Sequence, residues 1–346
     1  MGGRGLVNIE QLYQRRLVLL AHHLRASRDD LVQACCELML QSPSRRSVFS
    51  MAGDVASSLA LCDVLNFSSD QLRTAVVTSQ RKKLLNTLYA KPLHGKFFTW
   101  VHSSVINTAR SFRWLQCSMH GESESSIFAI QDQVLCTRSY QAKIMKIPVQ
   151  SILCRLCQEQ EESIQHLLSG CPALASTSYL RRHDMVGRVL HWHLSKCFKL
   201  PLSAKHWYDH QPLPVVENDS AKVLWDFSLQ TDVHVPSNRP DLVLFLKHEH
   251  RIMFFEVSCP ADVNVPNKEQ EKLTKYQPLI REFSECHGQP VSIIPVVFGH
   301  SGVVSVHQQD YLKQIPNYNE NLFNSLQKAA ILGTVNILTS LNIGCT

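Results

Sequence analysis

Three thiols and one imidazole stand close together in CRLCQEQEESIQHLLSGCP, residues 154–172. Cys154 and Cys157 have the two-residue gap that lets one tight turn aim both sulfurs at a single point, the first half of a structural zinc site. His166 and Cys171 supply the second half only if the chain bends between them. Five residues along an unbroken helix lie about 140° apart, too far round to share an ion. Gly170 and Pro172 flank Cys171 and are the residue types that end a helix and turn the chain back. Four ligands with no open position predict a structural ion rather than a catalytic one. The other cysteines, at 35, 36, 62, 117, 136, 197, 259, 286 and 345, show no such spacing and are expected to be small buried hydrophobes.

A second constellation is made of acids. Asp241 follows Arg239 and Pro240 at the mouth of the strand-like run DLVLFLKH, and Glu256 lies inside the next run, RIMFFEVS. A hairpin that turns between His248 and Glu249 pairs position 241 with 256 and sets both carboxylates on one face, with backbones about 5.5 Å apart. Two such oxygens suit one hard divalent cation. Both faces of these strands are otherwise apolar, Leu242, Leu244 and Leu246 on one side and Val243 and Phe245 on the other, as in a sheet covered by helices. An unpaired carboxylate there is expensive, and a metal ion or a lysine relieves the cost. Asp226 and Asp232, just upstream, are further candidate carboxylates, although an acid beside a Trp or at a turn has plainer uses.

The elements that must hold these groups differ along the chain. From Asn8 to about Met145 apolar residues recur at helical spacing, as in IEQLYQRRLVLLAHHL and SDQLRTAVVTSQRKKLLNTLYA. After the cysteine cluster, ALASTSYLRRHDMVGRVLHWHLSKCF again reads as helix. Pro201, Pro212 and Pro214 then break the pattern. Beyond them KVLWDFSL, DLVLFLKH, RIMFFEVS and VSIIPVVF are short β-rich runs, interleaved with helical patterns at 267–286 and about 319–341. The expected fold class is therefore α+β and multidomain: an α-helical region over 1–148, the CCHC element with its following helix over 149–200, and an α/β domain over 218–346.

The 346 residues are 44% apolar and 18% charged, with net charge +6, which is folded globular composition with a mild bias toward anionic partners. No apolar leader follows Met1 and no apolar run reaches the roughly 20 residues of a bilayer span, so reduced thiols in cytosol or nucleus, and no membrane partner, are expected. His191 and His193, two apart, cannot share an ion on a helix and are read as surface or interface residues. GGRG at 2–5 lacks the context of a phosphate loop and is read as a turn. Arg15–Arg16, Arg81–Lys83 and Arg181–Arg182 are read as solvated helix edges able to touch phosphates.

CRLCQEQEESIQHLLSGCPALA resembles the zinc knuckle that follows the polymerase in non-LTR retrotransposon proteins and precedes a restriction-like endonuclease. Upstream, GGRGLVNIEQLYQRRL, KPLHGKFF and AIQDQVLCTRSYQAKI are similar to the segment between polymerase and knuckle; downstream, LWDFSLQTD, NRPDLVLF and KLTKYQPL are similar to the nuclease. The resemblance implies a PD-(D/E)xK endonuclease that nicks double-stranded DNA with magnesium or manganese on Asp241 and Glu256, zinc on Cys154, Cys157, His166 and Cys171, DNA and element RNA as partners, and residence in the nucleus. Glu256 stands where these nucleases often have Asp, and Ser258 where many PD-(D/E)xK enzymes have their lysine. In the retrotransposon nucleases that lysine comes from a nearby helix, which points to Lys275, followed by Tyr276, and secondarily to Lys272; by spacing alone Lys268, Lys272 and Lys275 form a solvated helix face. The only adjacent aspartates, Asp29 and Asp30, follow ASR rather than an aromatic residue, so no polymerase active site is expected. The chain then resembles the carboxyl-terminal part of such a protein: a truncated copy, a late-starting reading frame or a host gene derived from one. The rival expectation is a catalytically silent relic that only binds nucleic acid.

Overall fold

The computed structural model describes residue 6 and residues 8–41, 47–62 and 66–343; the GGRG stretch and Cys345 lie outside the described residues. The chain divides into two compact units, residues 3–96 and 97–346.

The smaller unit is helical: α1 Ile9–Arg25, α2 Asp30–Gln41, α3 Val48–Ser58 and α4 Ser69–Tyr89. Polar residues set the starts. Asn8, Ser47 and Ser68 each accept a backbone N–H of the first turn, and Gln71 completes a capping box with Ser68. Leu17, Val18, Phe49, Leu72 and Val76 close the core between them.

The larger unit is α+β. Its sheet runs in the order β1 Val215–Glu217, β2 Ala221–Trp225, β3 Leu242–Leu246, β4 Arg251–Ser258, β5 Val291–Val297. The first four strands are antiparallel neighbours, and β5 joins β4 in parallel. The longer helices of this unit are α5 Gly121–Gln131, α7 Leu180–Cys197, α8 Val265–Lys275, α9 Gln277–His287 and α10 Glu320–Ser340, with the short α6 Ile164–Ser169 inside the cysteine segment. Helices α8 and α9 make the β4-to-β5 crossover that a parallel pair requires.

The period-2 pattern of β3 and β4 is satisfied on both sides. Leu242, Leu244, Leu246, Met253 and Phe255 pack with Val186, Leu190 and Leu194 of α7 and with Phe323 and Leu326 of α10. Val243, Ile252 and Phe254 pack with Leu279 and Phe283 of α9. Each such buried side chain is worth about 1.5–3 kcal/mol. At the outer edge of β5, Pro295 brings no N–H, and the Gln308 amide accepts from Val297 N at 2.9 Å while donating to Pro295 O at 2.9 Å.

Several expectations are corrected. β1 was not anticipated; three residues carry too little periodicity. His191 is fully buried and His193 nearly so, because His191 Nδ1 meets His210 Nε2 at 2.8 Å and His193 Nε2 reaches Pro316 O at 3.0 Å. Burial pushes His191 down to about 4, so it is neutral. Arg182 is not a solvated edge: it is buried, donating to Cys259 O at 2.9 Å and Thr334 Oγ1 at 3.1 Å. Cys35, Cys62 and Cys286 are exposed rather than buried; Cys35 falls on the outer face of α2 while its neighbour Cys36 takes the inner one. Among the described residues no helix is long and apolar enough to cross a membrane.

Two of the helical glycines, Gly187 and Gly53, give opposite expectations. A Cβ at Gly187 would meet the Trp225 ring at 2.7 Å, whereas at Gly53 it would meet nothing within 4 Å. Gly187→Ala should cost about 1–2 kcal/mol by pushing α7 off the sheet, and Gly53→Ala should add about 0.5–1 kcal/mol, both measured by denaturant melts.

Candidate functional site

The cysteine segment folds as a small hairpin on α6. Cys154 N donates to Gln160 O at 2.7 Å and Gln158 N to Cys154 O at 3.0 Å, with Gln158 at φ +58° closing the turn. Ser163 caps α6 by accepting His166 N; the helix ends at Ser169 with Gly170 as its cap, and Pro172 opens the next turn. That break brings His166 and Cys171 together. One ligand atom from each of Cys154, Cys157, His166 and Cys171 lies within 4.8 Å of all the others. The Cys154 and Cys171 sulfurs are 3.8 Å apart and Cys157 Sγ is 3.3 Å from His166 Nε2. A tetrahedral ion with metal–sulfur bonds of about 2.3 Å has sulfur–sulfur edges of about 3.8 Å.

The surroundings suit a cation. His166 Nδ1 lies 3.2 Å from Gln160 Oε1, an acceptor that leaves Nε2 free for a metal. Burial pushes the Cys171 thiol up to about 11, so a thiolate there needs a positive charge beside it. Tyr179 Oη accepts Cys171 N–H at 3.0 Å and donates to Leu167 O at 2.9 Å, tying the last ligand to α6.

The acids meet in the second half. Leu242 pairs with Phe255, the register that sets Asp241 opposite Glu256. Asp241 Oδ2 accepts from Val257 N at 2.7 Å and from His183 Nε2 at 3.0 Å. Glu256 has no exposed surface; its Oε2 accepts from Lys272 Nζ at 2.7 Å, and its Oε1 makes no hydrogen bond of normal geometry, although the Tyr276 hydroxyl lies close enough to favour its charge. Burial and the charge of Asp241 push Glu256 above the usual carboxylate range despite Lys272. Burial also opposes ionisation of Asp241, but His183, Lys272 and the Val257 N–H outweigh it and hold its pKa low. Two facing carboxylates with opposite shifts, one of them fully buried, are a pattern that recurs at functional sites.

The lysines are sorted by the structure. Lys272 is largely buried on Glu256, so the reading of a solvated face does not hold for it. Burial works against its charge, yet Glu256 and Asp241 raise its pKa. Lys275 Nζ instead donates to Tyr276 Oη at 3.1 Å, and that hydroxyl donates to Arg239 O. Lys268 pairs with Glu271. The upstream acids go elsewhere: Asp226 pairs with Arg239 at 2.6 Å, and Asp232 sits with Glu282 and Cys286.

His183 was not singled out from sequence. Partly buried itself, it stands at helical spacing from the buried Val186, Gly187, Leu190 and Leu194 of α7, a signal that spacing does contain. Burial disfavours its charge, but Asp184 and Asp241, each 3.0 Å from one ring nitrogen, raise it to about 9. Comparison with protein-family models and with curated proteins finds no match to this chain.

Glu162 braces the cysteine segment. It is fully buried and accepts from Arg138 N, Arg155 N and, through both oxygens, the Arg155 guanidinium. Burial opposes its charge, but these donors hold its pKa below the ordinary 4.5. Its depressed folded value means that the stabilisation is present above pH 4.5 and is lost as pH falls through the folded pKa. Glu162→Gln should lower stability by roughly 2 kcal/mol at neutral pH and flatten the acid limb of the melting-temperature profile.

Proposed function

We propose that this chain is a metal-dependent DNA endonuclease of the restriction-like, PD-(D/E)xK kind, derived from a non-LTR retrotransposon protein, that nicks double-stranded DNA. The observation that carries the reading is the pairing of Asp241 with a fully buried Glu256 beside Lys272. Asp241 and Glu256 are the residues to hold a magnesium or manganese ion, which when bound supplies Lewis acidity and a water of lowered pKa. Lys272 places a positive charge next to the acids, where it offsets negative charge building on a phosphate. His183 and the Val257 N–H fix the Asp241 carboxylate by one oxygen. Lys275 acts one step out, through the Tyr276 hydroxyl, which lies beside Glu256 and favours its charge. Residence in the nucleus is proposed from the DNA substrate alone, with the cytoplasm as the alternative.

A second reading is a silent nucleic-acid binder. It is favoured by one fact: both acids already have internal cations, Lys272 on Glu256 and His183 on Asp241. Supercoiled plasmid with magnesium separates the two. Asp241→Ala and Glu256→Ala should each reduce nicking on the order of a hundredfold while Lys275→Ala reduces it less. Plasmid retained but uncut by wild type and both Ala variants supports the binder.

Cys154, Cys157, His166 and Cys171 are proposed to hold structural zinc. The core beneath them is shared: Cys154, Leu167 and Leu168 pack in one cluster with Ile331, Ile337 and Leu338 of α10. Cys157→Ser should abolish stoichiometric zinc, read by elemental analysis, and lower the melting temperature by about 10 °C or more. Zinc retained by that variant, or an unchanged melt, speaks against the assignment.

A further inference from the structure

A cavity of about 370 Å³ opens away from the acids, between the far end of α7, the loop that follows it and the start of α10. Its walls include Trp192, Lys196, Trp207, Asn321 and Ser325. Trp192 and Trp207 are only half-buried. The loop continues the aromatic surface: the Tyr208 ring is 57% exposed, stacks on His206 at 5.1 Å with planes 4° apart, and meets Trp207 edge-on at 5.7 Å. Exposed aromatic rings clustered beside a concave pocket are unusual on a surface that has no binding role.

The charge around the rings narrows the ligand. Between 190 and 210 the chain carries Lys196, Lys199 and Lys205 against the single acid Asp209. All three lysines are exposed, and Lys196 Nζ sits 4.8 Å from the centre of the Trp192 ring. Glu320, the acid at the start of α10, is already engaged by Arg110. Aromatic surface beside exposed ammonium groups matches a strand whose bases are unpaired: a base offers a flat apolar face and its phosphate an anion. A fully paired duplex hides its base faces and suits the site poorly. Trp192 is held for the task, since its Nε1 donates to Ala204 O at 3.3 Å and ties the loop to the helix.

We infer that this pocket is a binding site for single-stranded nucleic acid, with a base stacked on Trp192 and Trp207, the Asn321 amide and Ser325 hydroxyl at its polar edge, and Lys196 on the adjoining phosphate. The site is separate from Asp241 and Glu256 and needs no metal at them.

The test is fluorescence anisotropy with the full chain, labelled oligo(dT), oligo(U) and a blunt duplex, without added magnesium. Trp192→Ala and Trp207→Ala should each weaken oligonucleotide binding about tenfold, and Trp192→Phe should restore most of it. Tighter binding of either oligonucleotide supports the site and identifies its strand. Ala variants that melt like wild type yet bind oligonucleotide unchanged overturn the proposal, as does an equal loss for the duplex. Plasmid nicking with magnesium by the Asp241 and Glu256 variants reads the nuclease, and oligonucleotide anisotropy of the Trp192 and Trp207 variants without magnesium reads this site, so failure of one reading and failure of the other are told apart.

Discussion

A carboxylate with no exposed surface, set in a strand whose neighbours pack on both faces, is the constraint around which this half of the molecule is arranged. Glu256 would be prohibitively costly there alone. Its charge is met by Lys272 from the crossover helix, while the facing Asp241 draws His183 from the helix on the opposite side of the sheet. Two acidic and two basic groups thus converge from the mouth of β3, from β4, α7 and α8, and the sheet and both of its covering layers are tied to one electrostatic centre. The balance is local but incomplete, since Oε1 of Glu256 makes no hydrogen bond of normal geometry.

What periodicity encodes was legible in the sequence. Alternation in DLVLFLKH and RIMFFEVS, with the hairpin count, set the 241–256 pairing, and Gly170 with Pro172 set the helix break that closes the cysteine cluster. What depends on helix-to-sheet placement was not. Lys272 rather than Lys275 contacts the acid because the crossover helix presents that turn to β4, and the sequence holds no ruler for such an approach. His183 goes unmarked in the sequence, and Arg182 and His191 are misread there, for a related reason. Polar residues on the inner stripe of a helix are invisible to a hydrophobicity count, yet each is buried or partly buried with a hydrogen-bond partner.

Helix α10 joins what a change in sequence texture divides. Its first turns, with Phe323 and Leu326, belong to the core over the sheet, and its last, with Ile337 and Leu338, to the core under the cysteines. Helix α7 has a similar double use, holding His183 near one end and Trp192 and Lys196 toward the other. Rigid elements of this kind keep two chemically distinct surfaces at a constant spacing, which loops alone do not achieve.

Gln308 has a consequence for assembly. An edge strand normally offers outward N–H and C=O groups as a template for another chain. In β5 the proline removes one of those donors, and one glutamine side chain takes the next N–H and the remaining C=O. At the other edge β1 is only three residues long. The sheet is therefore terminated rather than interrupted, and neither self-association nor capture of an extended peptide by strand addition has a purchase along that part of β5.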